Sequence, residues 1–334
     1  MKVPMESTNA LYLNCLALPW TESSQITMGG QDKLWEETIL RMATQLLKAV
    51  KFIHSAGMCH GGECFLNSLF AGASYLLISD ISGRNIAFSC TNLLNSPEEQ
   101  LFEVLGSPEI EALVRLDGMP LENGLPRQLV KAAEWVDWID EDDEDIRLLD
   151  FGESFIQGEE PEKLAQPGTL RVPETIFTNS FDYRIDLWRT GCMVSHRVFS
   201  EDRWLTCPFQ IYSFLFTKYP FWYLGEDDML VCQMISLVGR LPAEWESTWE
   251  SMQARSSHSL EIEGKHTATW WNQLLTTLPD CEVTKLEREF AETVHDPSLA
   301  PLLQVTRGLM RFLPSSRMTA DEALGLLKPY DTFD

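Results

Sequence analysis

His60-Gly61 and Asp80-Ile81-Ser82-Gly83-Arg84-Asn85 decide the fold of this chain, although residues 62–79 separate them. Joined, they give H-G-D-I-S-G-R-N, in which an asparagine follows an aspartate by five positions. A third fragment, Leu148-Leu149-Asp150-Phe151-Gly152, lies much further along the chain. Carboxylate and amide oxygens are the ligands that hold Mg²⁺ beside phosphate groups. The three fragments together therefore predict a site where magnesium and phosphates meet.

Three further motifs follow in a fixed order. After Asp-Phe-Gly, the segment Glu153 to Leu170 leads to Val172-Pro173-Glu174, then come Asp186-x-Trp188-x-x-Gly191 and, near the C-terminus, Pro314-Ser315-Ser316-Arg317. In this order the motifs resemble the C-terminal lobe of the eukaryotic protein kinase superfamily. The resemblance covers roughly Trp35 to Lys328. It implies an α+β, protein-kinase-like fold that consists mainly of the α-helical C-lobe.

The resemblance also implies roles for individual residues. Asp80 would be the catalytic base that accepts the proton of a substrate hydroxyl, while Asn85 and Asp150 would be Mg²⁺ ligands. The implied reaction transfers the γ-phosphoryl group of ATP to a Ser or Thr hydroxyl, so the implied cofactors are ATP and Mg²⁺. Arg317 is expected to form a buried ion pair with Glu174. The remaining residues of the motifs are expected to be structural: His60, Phe151, Gly152, Asp186 and Trp188.

The sequence divides into residues 1–34, unassigned, and a kinase-like lobe at 35–334 that opens with a helix from Trp35 to Ser55. That helix is predicted by apolar residues at helical spacing, such as Ile39, Met42 and Leu46. A kinase N-lobe needs a Gly-rich strand-turn-strand and a strand lysine paired with a helix glutamate. Residues 1–34 show neither and are too few for five strands and a helix. We therefore expect the N-lobe, and with it the ATP-contacting residues, to be absent or vestigial.

Two segments interrupt the kinase motifs. Residues 62–79 separate Gly61 from Asp80, and residues 194–210 divide the buried helix that starts at Asp186. Both begin with residues whose codons can contain a splice donor, and both have the length of a short intron. We interpret them as retained introns in an unspliced gene sequence. The alternative is that they are surface insertions, which loops tolerate well.

Residues 89–145 form a spacer between the two metal-binding motifs. It is predicted to contain a helix from Glu98 to Leu105, a second helix through Leu129 to Trp138, and an acidic run with eight carboxylates between Glu134 and Asp145. Such a run is commonly just a solvated face. SR-protein kinases, however, have a long spacer and acidic docking surfaces, and this chain is similar in both respects. That similarity implies basic, Arg/Ser-rich protein substrates.

Three functions remain open from the sequence. The first is a protein serine/threonine kinase, although the chain is expected to be inactive as it stands, because Ser82 replaces the loop lysine of the family and the N-lobe is missing. Gly61 replaces an arginine that SR-protein kinases also lack, so it is not expected to be disabling. The second is a pseudokinase, a binding module without chemistry. The third is a small-molecule kinase of the aminoglycoside or choline kinase type, which also uses His-Gly-Asp. The Glu174, Trp188 and Arg317 motifs disfavour this third function.

Composition bounds the partners and the compartment. The chain has 50 acidic and 26 basic residues, a formal charge of -24, which disfavours nucleic acid and anionic membrane as partners and favours basic proteins. The alternative, which solubility alone explains, is that the acidic surface has no partner. Its eight cysteines show no disulfide framework, and Cys59, His60 and Cys64 lack further ligands at zinc-site spacing. The apolar run from Phe65 to Ile78 is too short to span a membrane. We expect a monomer in the cytoplasm, the nucleus or both.

Overall fold

The computed structural model describes a helical body with three small sheets. The described residues are 18–19, 36–61, 86–89, 97–115, 118–121, 125–130, 144–164, 166, 168–192, 215, 220–221, 223, 225–263 and 283–328. The inserts at 62–79 and 194–210 lie outside them, as do the predicted catalytic Asp80 and the predicted metal ligand Asn85. The predicted domain boundaries and the origin of the two inserts stay predictions.

Helix α1, Glu36–Ser55, is the central element of the body. Its buried stripe includes Ile39, Met42, Leu46 and Val50, each at most 1% exposed, at the spacing of one helix face. Acidic residues occupy its first turn and His54 its last, in accord with the helix dipole. The predicted helix is thus confirmed from Glu36 onward.

Eight more α-helices are described. They are α2 Glu98–Leu105, α3 Pro173–Phe177, α4 Ile185–Gly191, α5 Asp227–Val238, α6 Ala243–Glu263, α7 Lys285–Thr293, α8 Ala300–Leu309 and α9 Ala320–Leu327. Helix α1 packs against α9 and α4, and α8 packs against both α4 and α9. The Thr284 and Thr319 side chains cap α7 and α9 in reciprocal capping boxes, which satisfy the otherwise unpaired first-turn amides.

The strands form short antiparallel pairs around this body. Strands β1 Leu18–Pro19, β3 Ile86–Phe88 and β6 Ile146–Leu148 make one sheet in the order β1-β3-β6. Strands β2 Met58–Cys59 and β7 Phe155–Ile156 make a second, and β4 Ile110–Ala112 and β5 Gln128–Val130 a third. The predicted pairing of segments near 86–88 and 147–149 is confirmed, with β6 beginning one residue earlier. Strand β1 lies within residues 1–34, which the sequence left unassigned.

The spacer at 89–145 follows the prediction in one part and departs from it in two. Helix α2 has the predicted bounds. The predicted second helix is wrong at its start, because Leu129 and Val130 belong to β5, where Val130 pairs with Ile110. At these residues the pairing with β4 determines the conformation, although the sequence pattern is compatible with a helix. Glu144, counted in the acidic run, is not on a solvated face: it is buried and accepts a hydrogen bond from the Ser89 hydroxyl at 2.7 Å.

None of the helices in the described part of the chain is long and apolar enough to cross a membrane.

Candidate catalytic-loop site

The His60-Gly61 turn joins the two halves of the candidate site. It follows β2, whose pairing with β7 brings the segment after Asp-Phe-Gly beside it. The backbone N–H of His60 donates to Asp186 Oδ2 at 2.8 Å, and its ring Nε2 lies 2.9 Å from the Leu149 carbonyl oxygen. The ring also contacts Phe151, with ring centroids 4.8 Å apart. His60 therefore ties helix α4 to the Asp-Phe-Gly motif.

The imidazole of His60 is held neutral. Burial lowers its pKa from the ordinary value, and this effect outweighs the nearby carboxylate of Asp186. Because a carbonyl oxygen can only accept, Nε2 carries the proton in the contact with Leu149. The ring thus works as a hydrogen-bond donor and an apolar surface for Phe151, and the expected structural role is consistent with this geometry.

Gly61 has a conformation and an environment that only glycine fits. Its φ is +81°, and a Cβ placed there would overlap the backbone carbonyl of Glu153. The absent side chain lets the turn and the start of the activation segment, Glu153 to Leu170, pass in direct contact. The arginine that protein kinases carry at this position could not be accommodated without moving one of the two segments.

Asp150 has the strained backbone that is common at functional positions. Its φ is +58°, in the left-handed region that non-glycine residues rarely adopt. The carboxylate is exposed and accepts a hydrogen bond from the Gly152 amide at 3.2 Å. An exposed carboxylate oxygen suits a hard divalent cation. Within the described residues there is no cluster of three or more His, Cys, Asp or Glu that could hold a metal, and Asn85 lies outside them, so the predicted Mg²⁺ pair stays a prediction.

Asp186, at the start of α4, is a buried anion with two donors. It is 1% exposed and accepts from the His60 amide and from His54 Nε2, the latter at 3.1 Å. Burial acts to raise the pKa of Asp186, but the hydrogen bond and electrostatic attraction of His54, together with the hydrogen bond from the His60 amide, prevail, and the pKa lies below its ordinary value. The sequence did not identify His54, which ends the same helix face that the core residues of α1 define.

The predicted ion pair between Arg317 and Glu174 is present. The two guanidinium nitrogens donate to the two carboxylate oxygens at 2.7 and 2.5 Å, and both side chains are buried. Arg317 also donates to the carbonyl oxygens of Arg184, Arg311 and Phe312. Its guanidinium carbon lies 5.3 Å from the ring centroid of Trp188. The pair joins α3 to the C-terminal motif, and Arg184, whose carbonyl Arg317 contacts, leads into α4.

The start of the activation segment is fastened to the end of α1 by neutral groups. The Gln157 amide N–H donates to the Gly57 carbonyl at 2.9 Å, and its side chain donates to the carbonyls of His54 and Met58. Further along, Gln166 accepts from the Val172 amide at 3.1 Å and donates to Thr175. None of these hydrogen bonds needs a phosphate or another charged modification.

Two curated protein kinases are similar to this chain. It is 25% identical to the dual specificity protein kinase Lkh1 of Schizosaccharomyces pombe over 182 residues, which is 54% of this chain and 23% of that protein. It is 22% identical to the serine/threonine-protein kinase AFC2 of Arabidopsis thaliana over 179 residues, which is 54% of this chain and 37% of that protein. The chain thus spans well under half the length of either relative. No protein-family model matches it.

Solved kinase structures are also similar to the chain. A crystallised kinase domain aligns with 92% of this chain, covering 70% of its own, with a TM-score of 0.46 and 15% identity. The yeast RNA Pol II CTD kinase CTDK-1 complex aligns with 91% of this chain, covering 66% of its own, with a TM-score of 0.46 and 12% identity. Neither likeness is strong enough to carry an argument by itself.

The class of protein follows from the sequence relatives together with the geometry above. The fold is α+β and kinase-like, with a predominantly helical lobe and few strands, as the sequence predicted. The relatives support the protein kinase superfamily at low identity over about half the chain. The similarity to SR-protein kinases and the absence of an N-lobe stay predictions.

Proposed function

We propose that this chain is a kinase-like protein built on the catalytic lobe of a serine/threonine protein kinase. The observation that carries the proposal is the linkage through His60, which joins Asp186 of α4 to Leu149 and Phe151 on either side of Asp150. In this proposal the lobe transfers the ATP γ-phosphoryl group to a Ser or Thr hydroxyl. Asp80 is its base, and Asn85 and Asp150 are its Mg²⁺ ligands.

The described residues contribute positioning to this reaction. Bound Mg²⁺ would neutralise charge on the phosphates, and Asp150 presents an exposed carboxylate for it. The strained backbone at Asp150 is held in place from both sides, because Leu149 and Phe151 contact the buried His60 ring. Such preorganisation is the main contribution that a protein makes to phosphoryl transfer.

In the same proposal, residues 1–334 do not catalyse the reaction by themselves. The sequence shows no Gly-rich loop to cover the phosphates and no strand lysine to orient them. Residues 62–79 also separate His60 from Asp80, and a displacement of about 1 Å at a reacting group can cost roughly 100-fold in rate. Adding an N-lobe with a Gly-rich loop and a strand lysine, and joining Gly61 to Asp80, would supply the missing positioning.

The substrates we propose are basic proteins, including Arg/Ser-rich ones. The formal charge of -24 supports this, because an acidic surface attracts basic segments. This binding should weaken as the salt concentration rises. The long spacer between Asn85 and Asp150 supports an SR-protein-kinase type of parent. We also propose that the chain is a monomer in the cytoplasm or the nucleus.

A phosphoryl-transfer assay with radiolabelled ATP and Arg/Ser peptides tests the proposal. Two proteins are compared: the full chain, and a version that lacks 62–79 and 194–210 and is joined to a protein kinase N-lobe. We expect transfer from the second protein only, abolished by Asp80→Ala and by Asp150→Ala but retained in Asp182→Ala, which removes a surface carboxylate paired with Arg184. Asp80-dependent transfer by the full chain would refute the predicted inactivity.

The runner-up function is a pseudokinase that binds partners without chemistry. It is favoured by Ser82, which stands where the family has a loop lysine and so removes a positive charge from the site. A well-folded restored protein that binds basic peptides but transfers no phosphate would establish it. The third option, a small-molecule kinase, has no use for the buried pair of Glu174 and Arg317, which fastens a protein-kinase activation segment.

A further inference from the structure

Helix α4 carries a second buried charge beside Asp186. Arg189 lies one helical turn later and is 0% exposed, so the two side chains share one face of the helix. Arg189 Nη1 donates to the Gly61 carbonyl oxygen. Asp186 Oδ2 accepts from the His60 amide. A single helix turn therefore holds the His60-Gly61 dipeptide at both ends, with an anion at its N–H and a cation at its C=O.

Arg189 is not explained by packing. Among the residues that the structure describes, its Nε and Nη2 atoms have no hydrogen-bond partner, and neither has Asp186 Oδ1. A buried guanidinium with unpaired donors is costly, and an apolar side chain at this position would avoid that cost. Buried polar groups that are only partly satisfied are commonly retained for a functional reason.

The contact of Arg189 falls at a specific point of the chain. The Gly61 carbonyl is the last described backbone group before residues 62–79. If Gly61 is joined directly to Asp80, this carbonyl belongs to the peptide bond that leads into Asp80, the predicted base. Gly61 itself cannot carry a side chain, because its Cβ would overlap the Glu153 carbonyl. A positive charge beside the His60-Gly61 turn must therefore come from another element, and the Arg189 side chain of α4 supplies it.

We propose that Arg189 is a positioning residue that, together with Asp186, fixes the orientation of the His60-Gly61 peptide unit at the entrance to the catalytic loop. The catalytic consequence rests on the proposed function, whereas the clamp itself does not. The inference can thus be tested without any measurement of phosphoryl transfer.

Amide hydrogen exchange of the full chain is the test. Arg189→Met keeps much of the side-chain length and removes the donors. We expect it to speed exchange of the amides at 58–61 by about tenfold or more, since the opening of this turn no longer breaks a hydrogen bond to a charged group. Exchange in α8 and α9 should stay as in the wild type. Arg189→Lys keeps a cation and a donor and should restore part of the protection.

Arg171→Met is the matched control. It removes a different arginine, which is partly buried and pairs with Asp227, and should leave exchange at 58–61 unchanged. Unaltered protection of 58–61 in Arg189→Met, or a uniform rise over the whole chain, would overturn the proposal, because the second result describes a purely structural residue. If Arg189→Met does not fold, Arg189→Lys decides: a rise confined to 58–61 supports the clamp, and its absence overturns it. Phosphoryl transfer is assayed separately, so failure of the proposed function would not mimic either outcome.

Discussion

At the scale of single residues, two of the buried carboxylates, those of Glu174 and Asp186, are stabilised in different ways. Glu174 has a full counter-charge, the guanidinium of Arg317 in bidentate contact. Asp186 instead receives N–H groups from His54 and His60 and has Arg189 one turn away. Both arrangements cross between distant parts of the sequence. Loss of either arrangement would therefore destabilise several elements of secondary structure.

Arg317→Met should be among the most destabilising single substitutions in the chain. It leaves the Glu174 carboxylate buried without its counter-charge, and breaking such pairs costs about 3 to 5 kcal/mol. Urea unfolding of the two proteins measures the difference. Lys51→Met is the control, since Lys51 and Asp321 form an exposed ion pair whose loss should have little effect. An Arg317→Met protein as stable as Lys51→Met would contradict the buried pair.

His60 should make the lobe less stable as the pH falls. Burial lowers its pKa in the folded state, so below the ordinary value of about 6.5 the unfolded chain binds a proton that the folded chain does not. Its contribution is complete above that value and is lost as the pH falls toward the lowered pKa. His60→Gln keeps a donor for the Leu149 carbonyl but does not titrate.

The free energy of unfolding, measured by urea titration between about pH 7.5 and about pH 5, checks this sign. We expect the wild type to lose more stability across the window than His60→Gln does. Carboxylates titrate in both proteins, so the difference isolates the histidine. Parallel pH profiles would show that His60 is not held neutral.

At the scale of elements, the close approach of the β2 turn to the activation segment is the feature on which the site depends. Two glycines flank β2, and both have positive φ. Gly57 has no atom within contact distance of an added Cβ, whereas at Gly61 the Cβ would overlap the Glu153 carbonyl. A comparison of Gly57 with Gly61 therefore distinguishes the cost of a left-handed backbone from the added cost of steric overlap.

Gly57→Ala and Gly61→Ala should therefore differ in cost. For Gly57→Ala we expect about 1 to 2 kcal/mol, the cost of a non-glycine residue in the left-handed region. For Gly61→Ala we expect roughly 1 to 3 kcal/mol more, because the backbone at Glu153 or the turn has to shift as well. Thermal and urea unfolding of the two variants give the comparison. Equal losses would show that the turn and the activation segment do not touch.

The elements also show where sequence reasoning works and where it stops. Helix α1 was predictable because its apolar stripe has one period over twenty residues. Strand β5 was not, because Leu129 and Val130 fit either pattern and the pairing with β4 decides. Arg189 and His54 carry no local signal: their partners are 128 and 132 residues away. The Arg317 contact was accessible only through the resemblance to kinases, and the roles of Asp80 and Asn85 stay predictions.

At the scale of the whole molecule, the packing of α1, α4, α8 and α9 encloses a common core. Trp188 of α4 is 0% exposed, and its ring is stacked 6.1 Å from that of Phe221. Gly191, one turn later, is close to α8, since a Cβ there would lie 2.6 Å from Met310 Cγ. An insertion after α4 is expected to be poorly tolerated by a helix packed so tightly, which favours the intron interpretation of residues 194–210.

Transcript sequencing across codons 61 to 80 and 193 to 211 tests that interpretation. We expect mature reads to join Gly61 to Asp80 and Met193 to Ile211. The physical reason is that both joints restore an uninterrupted element, the catalytic loop in one case and a buried helix in the other. Abundant mature transcripts that keep both segments would contradict it and favour genuine insertions.

The central claim is that Asp80 and Asn85 converge with Asp150 on the site that His60 organises. An experimental structure of the chain with Mg²⁺ and an ATP analogue measures this most directly. The account predicts that an oxygen of Asn85 and one of Asp150 lie about 2.1 Å from one Mg²⁺ ion, with the Asp80 carboxylate facing the same cavity. Asp80 or Asn85 on the far side of the lobe from Asp150 would contradict the kinase-like site.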